Sequence, residues 1–442
     1  MSFRLLPLAA GVLAVATAAL SAQPPAAPGP TDWPQWRGPN RDGKSAETGL
    51  LKSWPKDGPP LAWTASGLGD GFGTPTVVGG KIYVMGTADG KDGVHCLNEA
   101  DGKAVWFAPI TAPLVRNPNN GSGSQPTYSN GKLYAVAVNG TVAVVDAKTG
   151  KVGWTKSYDE FGAKPGSWGF NESVLVDGDK VICNPGGSKG AVVALNAKTG
   201  ATVWATPINP VGGGAGYSSA VKMTVGGIPT YVCLLGDKAG VVGVHADNGK
   251  LLWQYNGLGV TGGTAQIPTP VILGNRVFVS CSYSEKAGAG AALLELTPEG
   301  KSKIDVKVVK AYRKPEANNH HGGMILVGKH VYFGHNQNAG IPANVDMTTG
   351  EVHKEDRSPP GTSGSAAITF ADGRLYYRYE NRVMALVEPD PTQFKMVSSF
   401  TLPPASNRMF AQSWPHPVVA NGRLLIRDQD KVYAYSVKGE TN

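Results

Sequence analysis

The sequence is short of charged residues and of cysteine, and each shortage excludes a class of protein. Charged residues fill 17% of the 442 positions, below the usual level of about a quarter, so charge-driven disorder is not expected. The few cysteines fit no CxxC, CxxCH or adjacent-pair spacing, which leaves zinc, c-type haem and a vicinal disulfide without support. All lie in apolar, strand-like runs, so we expect buried free thiols at Cys96, Cys183, Cys233 and Cys281.

Clusters of one charge are also missing. The net charge is +8, yet no run of five Lys or Arg occurs, so neither a nucleic-acid partner nor a basic membrane-binding segment is expected. Helix-breaking residues, by contrast, are abundant, with 59 Gly and 33 Pro and no collagen period. Together with 41% hydrophobic residues, this composition predicts an all-β protein built from many short strands and turns.

The first thirty residues have the organisation of an export signal. One Arg precedes an apolar run from Leu5 to Leu20, and small residues and a Pro-rich stretch follow. This pattern predicts a signal peptide over residues 1–22 and a Pro- and Trp-rich extension over residues 23–60. The first cysteine is Cys96, so no lipoprotein anchor is expected. We predict a protein without a membrane anchor, in the periplasm or outside the cell.

An eleven-residue pattern recurs along the chain, with Gly at its seventh position and Trp at its eleventh. Most copies carry Asp or Asn at the third position, which suits hydrogen bonding to the turn, and the Gly supplies a positive φ, so each copy predicts a hairpin. A worn fifth copy keeps Gly350 but has Lys354 where the Trp would lie. The full copies cover residues 96–106, 144–154, 194–204 and 243–253, ending at Trp106, Trp154, Trp204 and Trp253.

A second hairpin pattern, an apolar run, a Gly turn, a cation and another apolar run, lies between these copies. It occurs eight times, and two hairpins per period of about fifty residues make a four-stranded blade. We therefore predict an eight-bladed β-propeller over residues 61–438, with a tail over residues 439–442. The last blade lacks a fourth strand in chain order, so the segment 61–64 (LAWT) is expected to close it.

The repeats resemble those of the pyrroloquinoline-quinone (PQQ) repeat propellers, a family that includes the quinoprotein alcohol dehydrogenases and an outer-membrane-assembly lipoprotein. The resemblance covers about residues 61–438. It implies that each repeat Trp docks between neighbouring blades, near the Gly of the next copy. It also implies PQQ and Ca²⁺ as cofactors for a dehydrogenase of this type. The leader over residues 32–43 (DWPQWRGPNRDG) looks like the start of secreted bacterial propellers with this repeat.

Candidate functional residues lie in the loops that lead into the innermost strands, because these loops surround one mouth of a propeller channel. Glu172 is the one carboxylate in them, and with Asn171 it is the candidate Ca²⁺ site. Alternatively, Glu172 pairs with a neighbouring Arg or Lys and stabilises the channel. The candidates for a ligand site at the mouth are Asn171, Glu172, Gln125, His320, His321, His416 and Trp414, and the same loops hold Asn318 and Gln412.

His320 and His321 are adjacent, and adjacent side chains on a strand face opposite sides. We therefore expect only one of them to face the channel. This geometry argues against a metal site built from the pair, although His416 from another blade could join one of them.

Two further groups of residues belong to no repeat. The loop over residues 116–120 (RNPNN) is interpreted as a solvated turn rather than an anion or sugar site. Trp33, Trp36 and Trp54 are expected to hold the extension against the side of the propeller. An exposed subset of them would mark a partner surface.

The sequence leaves three hypotheses for function, since fold alone does not fix activity. The mouth loops hold no complete catalytic set, which favours a secreted, non-catalytic monomer that binds a protein or an extracellular glycan at the channel mouth. The first alternative is a PQQ- and Ca²⁺-dependent oxidoreductase of alcohols or sugars, with Asn171 and Glu172 at the cofactor. The second is an assembly factor for outer-membrane proteins.

Overall fold

Thirty-two strands form eight four-stranded antiparallel sheets in the part of the chain that the structure describes. The computed structural model describes Met1 and residues 27–112, 121–209, 216–236, 238–259, 266–282, 288–336, 339–404 and 413–439. Within these ranges the one helix is a short 3-10 turn, Tyr158–Phe161, and no helix has the length and apolar character needed to cross a bilayer. The predicted signal peptide, apart from Met1, lies outside the described residues.

Each blade of the first half is one continuous stretch of chain, and the innermost strand of blade 2 contacts those of blades 1 and 3. Blade 1 is β2 (Thr76–Val78), β3 (Lys81–Ala88), β4 (Lys91–Asn98) and β5 (Ala104–Thr111); blade 2 is β6 (Thr127–Ser129), β7 (Lys132–Val136), β8 (Thr141–Asp146) and β9 (Val152–Ser157); blade 3 is β10 (Leu175–Asp177), β11 (Lys180–Cys183), β12 (Val192–Asn196) and β13 (Thr202–Thr206); blade 4 is β14 (Val221–Val225), β15 (Ile228–Leu235), β16 (Gly240–His245) and β17 (Leu251–Tyr255).

The second half follows the same order until the last blade, which takes its outermost strand from the start of the chain. Blade 5 is β18 (Val271–Leu273), β19 (Arg276–Ser280), β20 (Ala291–Glu299) and β21 (Lys303–Tyr312); blade 6 is β22 (Ile325–Val327), β23 (His330–His335), β24 (Ile341–Asp346) and β25 (Val352–Lys354); blade 7 is β26 (Ala366–Ala371), β27 (Arg374–Tyr379), β28 (Val383–Glu388) and β29 (Lys395–Thr401); blade 8 is β30 (Val418–Ala420), β31 (Arg423–Asp428), β32 (Lys431–Ser436) and β1 (Leu61–Ala65).

The closing strand is the one that the sequence predicts. β1 pairs antiparallel with β32, with Thr64 opposite Tyr433. Trp63 reaches across to blade 1, where its indole nitrogen donates to Glu99 O at 3.0 Å and its ring lies 2.6 Å from the position of a Cβ on Gly102. The eight-bladed, N-terminally closed architecture is therefore confirmed.

The same Trp-on-Gly contact recurs between the first blades. A Cβ on Gly150 would meet Trp106 at 2.8 Å, and one on Gly200 would meet Trp154 at 2.7 Å. These glycines also have φ near +72° and +73°, so both the turn and the close approach of the ring favour glycine. A β-bulge aims the ring, because Trp106 lies opposite Cys96 only after a register shift in its strand pair.

Blade 6 lacks this bulge, which explains its worn repeat. Asn344 lies opposite His353, and the register of β24 and β25 shows no shift. His353, rather than Lys354, therefore occupies the position opposite the first repeat residue, where blades 1, 3 and 4 place Trp. An open cleft lies beside it, bordered by Tyr377 and Phe394 of blade 7.

The apolar core is divided into eight clusters, one between each pair of neighbouring blades. Four of these clusters hold one cysteine each, and all four cysteines are buried thiols outside any disulfide, as the sequence predicts. Since each blade buries both of its faces against its neighbours, the described residues contain no separate core for a second domain.

The N-terminal extension corrects one expectation, because it crosses the end of the channel rather than lying along the side. We call residues 32–50 the channel plug. Trp33 pairs with Val77 of blade 1, and Lys44 pairs with Phe370 of blade 7. The backbone nitrogen of Gly422, in blade 8, donates to Glu47 at 2.7 Å. The plug thereby ties the turns after the innermost strands together at one end of the channel, which we call the turn end.

Trp54 packs outside the channel, as expected. It lies 5.2 Å from Phe400 and 5.6 Å from Tyr376, measured between ring centroids, in the cluster between blades 7 and 8. Trp33 and Trp54 are both buried. They stabilise the extension and do not form an exposed partner surface.

Candidate functional site at the channel mouth

The loops that lead into the innermost strands gather at the opposite end of the channel, the mouth, and the predicted amide side chains hydrogen-bond within its wall. Gln125 donates to Pro75 O at 2.9 Å. Asn171 donates to Trp168 O at 2.7 Å and accepts from the backbone nitrogen of Gly123 at 2.8 Å. These bonds join the loops of blades 1, 2 and 3. A ligand role for Asn171 and Gln125 stays a prediction.

Glu172 is buried in the channel wall, with 1% of its surface exposed. One carboxylate oxygen accepts from the Tyr158 hydroxyl and from the backbone nitrogen of Asn184, and the other has no hydrogen-bond partner. Burial raises the pKa of Glu172 to about 7, although these bonds and the charge of Arg41 oppose the shift. The cation that interacts with Glu172 thus comes from the plug. The Ca²⁺ site at Asn171 and Glu172 stays a prediction.

Two plug arginines extend along the channel from the turn end towards the mouth. Arg41 donates to Ala220 O and Ser173 O, both at 2.9 Å, and Arg37 donates to Gly322 O at 3.0 Å. Both guanidinium groups are buried, and burial lowers the pKa of Arg41 to about 9. The carbonyls that they bind belong to blades 3, 4 and 6. The plug therefore fills the channel with the chain's own side chains.

Near the mouth, Trp36 of the plug and His416 of the wall also occupy the channel. The Trp36 indole nitrogen donates to Thr269 Oγ1 at 3.0 Å, and its ring centroid lies 4.7 Å from that of His416. Burial lowers the pKa of His416 to about 3, so this ring is neutral at pH 7. Its Nε2 lies 2.9 Å from His321 O and therefore carries the proton. His416 joins blade 8 to the loop of blade 6.

His320 and His321 lie together, and the expectation that they face opposite sides is wrong. Both are buried, at 9% and 6% exposure, and their ring centroids are 4.0 Å apart. The strand argument does not apply because β22 begins only at Ile325 and the backbone bends at both histidines. His320 Nδ1 lies 3.2 Å from Ser365 Oγ.

Glu380, which the sequence analysis did not single out, completes this group. It follows β27 in blade 7, and its Oε1 lies 3.2 Å from His321 Nε2. Burial opposes ionisation of Glu380, but the neighbouring His321, Trp414 and Ser365 lower its pKa. The turn between the second and third strands of each blade also opens at the mouth. A search of these turns, in addition to the loops before the innermost strands, would have found this carboxylate.

Three aromatic side chains from separate blades meet at the mouth, and we call them the aromatic platform. Phe72 precedes blade 1, Trp168 precedes blade 3 and Trp414 precedes blade 8. The centroid of Trp414 lies 4.8 Å from that of Phe72 and 5.3 Å from that of Trp168. All three rings are half-buried. Trp414 also stacks on His321 at 4.8 Å and donates to Glu380 Oε1 at 2.6 Å.

These described residues do not fit a stacked quinone. A planar quinone needs an open aromatic face and carboxylate and amide oxygens for its Ca²⁺. The rings of Phe72, Trp168 and Trp414 contact one another instead of leaving a gap. The Asn171 amide is engaged on both its oxygen and its nitrogen. No reaction step through PQQ follows from this arrangement.

Two short stretches match catalytic motifs by spacing but not by structure. Residues 38–45 (GPNRDGKS) have the spacing of a phosphate-binding loop, which requires a preceding strand and a following helix. They lie in the plug, and no helix follows them in the described chain. Residues 186–190 (GGSKG) have the spacing of a hydrolase nucleophile elbow, but they form a turn between β11 and β12. Neither stretch indicates nucleotide or hydrolase chemistry.

Two predicted elements fall on parts of the chain that the structure leaves undescribed. The loop over residues 116–120 and Gln412 both lie outside the described residues. Asn318, by contrast, is buried and accepts from Ser282 Oγ at 2.9 Å. It belongs to the wall between blades 5 and 6.

Comparison with known protein families gives one match over most of the chain. A family model described as outer membrane protein assembly factor BamB matches residues 48–210 and 90–356. The outer membrane protein assembly factor BamB of Shewanella oneidensis is 27% identical over 245 residues, which are 51% of this chain and 57% of that protein. The quinoprotein ethanol dehydrogenase of Pseudomonas aeruginosa is 33% identical over 145 residues, 30% of this chain and 23% of that protein. The matches thus span little more than half of these relatives at most.

Solved structures agree on the architecture. A europium-containing methanol dehydrogenase superposes with a TM-score of 0.62 at 14% sequence identity, covering 92% of this chain and 90% of that chain. At such low identity, the likeness shows the propeller fold alone.

Proposed function

The chain belongs to the repeat-propeller family described as outer membrane protein assembly factor BamB, and from that premise we propose that it is a non-catalytic propeller that binds a protein partner at its channel mouth. The aromatic platform is the observation that carries this proposal. Phe72, Trp168 and Trp414 are half-buried rings from three blades in mutual contact. Large aromatic anchors of this kind dominate the binding energy of protein interfaces.

The filled channel supports a binding role over a catalytic one. Arg37 and Arg41 donate hydrogen bonds to carbonyls of the wall, and Trp36 packs on His416 below the platform. A substrate chamber would have to displace these buried groups. A partner that docks on the rim of the mouth leaves them in place, so the plug supports the platform from beneath.

The export pattern over residues 1–22 and the family together favour a partner in the cell envelope. The relatives are named for the assembly of outer-membrane proteins, and we extend that class to this chain: the partner is an outer-membrane protein or a component that assembles one. We commit to a protein rather than a glycan, because the three rings are inclined to one another by 38° to 73° and do not present the flat face on which a sugar stacks.

Site-specific cross-linking tests this proposal. A photo-reactive amino acid replaces Trp168 in the platform, and the control carries it at Val203, which is 49% exposed on the outermost strand of blade 3. Both proteins are exported in a bacterium with an outer membrane, irradiated and purified, and the adducts are identified by mass spectrometry. We expect adducts to outer-membrane proteins or their assembly components at position 168 and not at position 203.

Three outcomes contradict the proposal. Equal adducts at both positions would show non-specific contact. Retention on a glycan array, lost in Trp168→Ala, would show a carbohydrate partner. Sustained turnover of an alcohol or sugar would show an enzyme.

A quinone-dependent oxidoreductase is the second candidate, because the quinoprotein relative matches part of the chain and Glu172 has an unpaired buried oxygen. Titration with PQQ, with and without Ca²⁺, followed by dye-linked oxidation, decides it. Saturable binding that Glu172→Gln abolishes would support this candidate. Absence of binding at micromolar quinone, or binding unchanged in the variant, would remove it.

A further inference from the structure

Three potential metal ligands from two blades converge at the channel mouth, and the proposed function does not use them. The ligand atoms of His320, His321 and Glu380 all lie within 4.8 Å of one another, and no other group of this kind occurs among the described residues. We propose that these side chains bind one divalent transition-metal ion, of which Zn²⁺ is the representative. This inference is independent of the protein partner proposed above.

The spacing is already close to that of a coordination site. Zinc bonds of about 2.0–2.1 Å to nitrogen and oxygen place the ligand atoms of a tetrahedral site about 3.4 Å apart. His321 Nε2 and Glu380 Oε1 are 3.2 Å apart. The most distant ligand atoms of the group have to approach by about 1.4 Å at most, which small side-chain rotations accomplish.

A second observation points to a cation between these two side chains. His321 is 6% exposed, and its Nε2 has no hydrogen-bond partner. The 3.2 Å separation from Glu380 is short enough for a hydrogen bond, but the directions of the two groups do not form one. A buried polar atom left unpaired lowers the stability of the folded chain. A metal ion between the nitrogen and the carboxylate satisfies both groups at once.

The surroundings already hold the ligands as a second coordination shell would. Ser365 Oγ lies 3.2 Å from His320 Nδ1, and the Trp414 indole nitrogen donates to Glu380 at 2.6 Å. Ligating imidazoles and carboxylates are oriented by such outer partners. Gly364 allows the approach of Glu380, because a Cβ on this residue, at φ +76°, would lie 2.4 Å from the Glu380 side chain.

The donor set selects the class of metal. Two imidazole nitrogens and one carboxylate suit Zn²⁺ and its first-row neighbours, whereas Ca²⁺ and Mg²⁺ take oxygen ligands. Three protein ligands leave at least one coordination position for water or for a group on a partner. This site therefore differs in chemistry and in residues from the Ca²⁺ site predicted at Asn171 and Glu172.

Metal titration of the mature protein tests the inference. Metal-free protein is titrated with Zn²⁺ by calorimetry and with Co²⁺ by visible absorption, whose intensity reports nitrogen ligation and low coordination number. We expect one ion per chain. We expect Glu380→Gln and His321→Ala each to weaken binding at least tenfold and to alter the Co²⁺ spectrum.

The chain offers a matched control in another histidine–carboxylate pair. His353 Nε2 and Glu355 Oε1 are 3.7 Å apart on blade 6, with side chains 42% and 37% exposed. His353→Ala and Glu355→Gln should leave Zn²⁺ affinity and stoichiometry unchanged. Trp414→Phe keeps the ring but removes the donor to Glu380, so as a positioning change it should weaken binding less than loss of a ligand.

Four results would overturn the inference. They are no saturable binding of Zn²⁺ or Co²⁺, binding unchanged in Glu380→Gln, binding lost in the His353 control, and Ca²⁺ binding in preference to Zn²⁺. If His321→Ala does not fold, as judged by circular dichroism, Glu380→Gln and His320→Gln decide the question, since both replace a ligand by an uncharged group of similar volume.

Discussion

The Trp-on-Gly contacts between neighbouring blades, which we call sockets, follow one rule, and the contacts along the central channel follow the opposite one. Between blades one contact recurs, a Trp ring over a turn glycine, as at Trp63 with Gly102 and Trp106 with Gly150. Along the channel each interacting residue occurs once: Arg41 belongs to the plug, and Glu172 and Glu380 belong to different blades. Repetition therefore supplies the frame, and single unrepeated residues supply the polar chemistry. The two regions should respond differently to mutation and to pH.

The largest effect is expected in a socket. Trp63→Ala removes the ring that joins the closing strand to blade 1 and should lower the free energy of unfolding by about 3 kcal/mol, measured by urea denaturation. Leu61→Ala, on the same strand but 48% exposed, is the control and should cost less than about 0.5 kcal/mol. Equal effects of the two changes would show that the socket does not hold the ring closed.

A somewhat smaller loss is expected in the channel. Arg41→Ala leaves Ala220 O and Ser173 O without the donors that they have now, and it should cost about 2 kcal/mol of unfolding free energy. Arg41→Lys keeps the charge but loses the forked donor, so it should recover part of the loss. Wild-type stability in both variants would mean that the plug is not anchored by this side chain.

The channel should also respond to pH, unlike the sockets. The pKa of Glu172 is raised to about 7, so the folded chain holds this proton more tightly than the unfolded chain. Stability from this group is complete below pH 4.5 and declines as the pH rises to about 7. Asp92 lies between blades 1 and 2, where it accepts from the backbone nitrogen of Val138. Burial raises its pKa to about 7 as well, so part of the decline comes from outside the channel.

Glu172→Gln isolates the contribution of this carboxyl. Between pH 5 and pH 8 the unfolding free energy of the variant should fall by roughly 2 kcal/mol less than that of the wild type, measured by urea denaturation at both pH values. Trp63→Ala should shift the whole profile without changing its slope. If the unfolding free energies of Glu172→Gln and of the wild type changed in parallel with pH, Glu172 would have an ordinary pKa in the folded protein.

The smallest effect should come from repairing the worn socket of blade 6. His353→Trp places a ring beside the open cleft that His353 borders and should raise the unfolding free energy by about 1 kcal/mol. Lys354→Trp restores the sequence pattern but puts the ring on the other face of the strand, because Asn344 pairs with His353. It should give no gain. A gain in Lys354→Trp and none in His353→Trp would show that the missing bulge does not explain the absence of Trp from this blade.

The sequence was informative where it repeats. Gly at position seven and Trp at position eleven recur four times, and the second hairpin pattern recurs eight times. Together the two patterns predict the blades, their number and the closing strand, all of which the structure confirms. Hairpin turns depend on local contacts, because Gly adopts the positive φ of the turn and Asp or Asn hydrogen-bonds to backbone only a few residues away. The buried state of the cysteines followed from their apolar neighbours for the same reason.

The channel could not be predicted in this way, because its contacts join residues hundreds of positions apart. Arg37 donates to Gly322, 285 residues later, and no pattern near Arg37 announces this partner. The contact of His321 with Glu380 could not be predicted from the sequence for a different reason. Strand geometry begins only at Ile325, four residues after His321, so the alternation of side chains does not reach the two histidines. Glu380 lies in a turn between the second and third strands of a blade and not in the loops before the innermost strands.

The plug also determines the order in which this molecule can be completed. Asp32 accepts from the side-chain amide of Asn421, 389 residues later, and Leu50 pairs with Lys438. The plug and β1 are synthesised before the blades, but these partners, and the strand β32 that pairs with β1, exist only after the eighth blade has been made. The plug and β1 therefore cannot complete their contacts before the end of the propeller is synthesised, and until then the edge of blade 8 stays open to solvent.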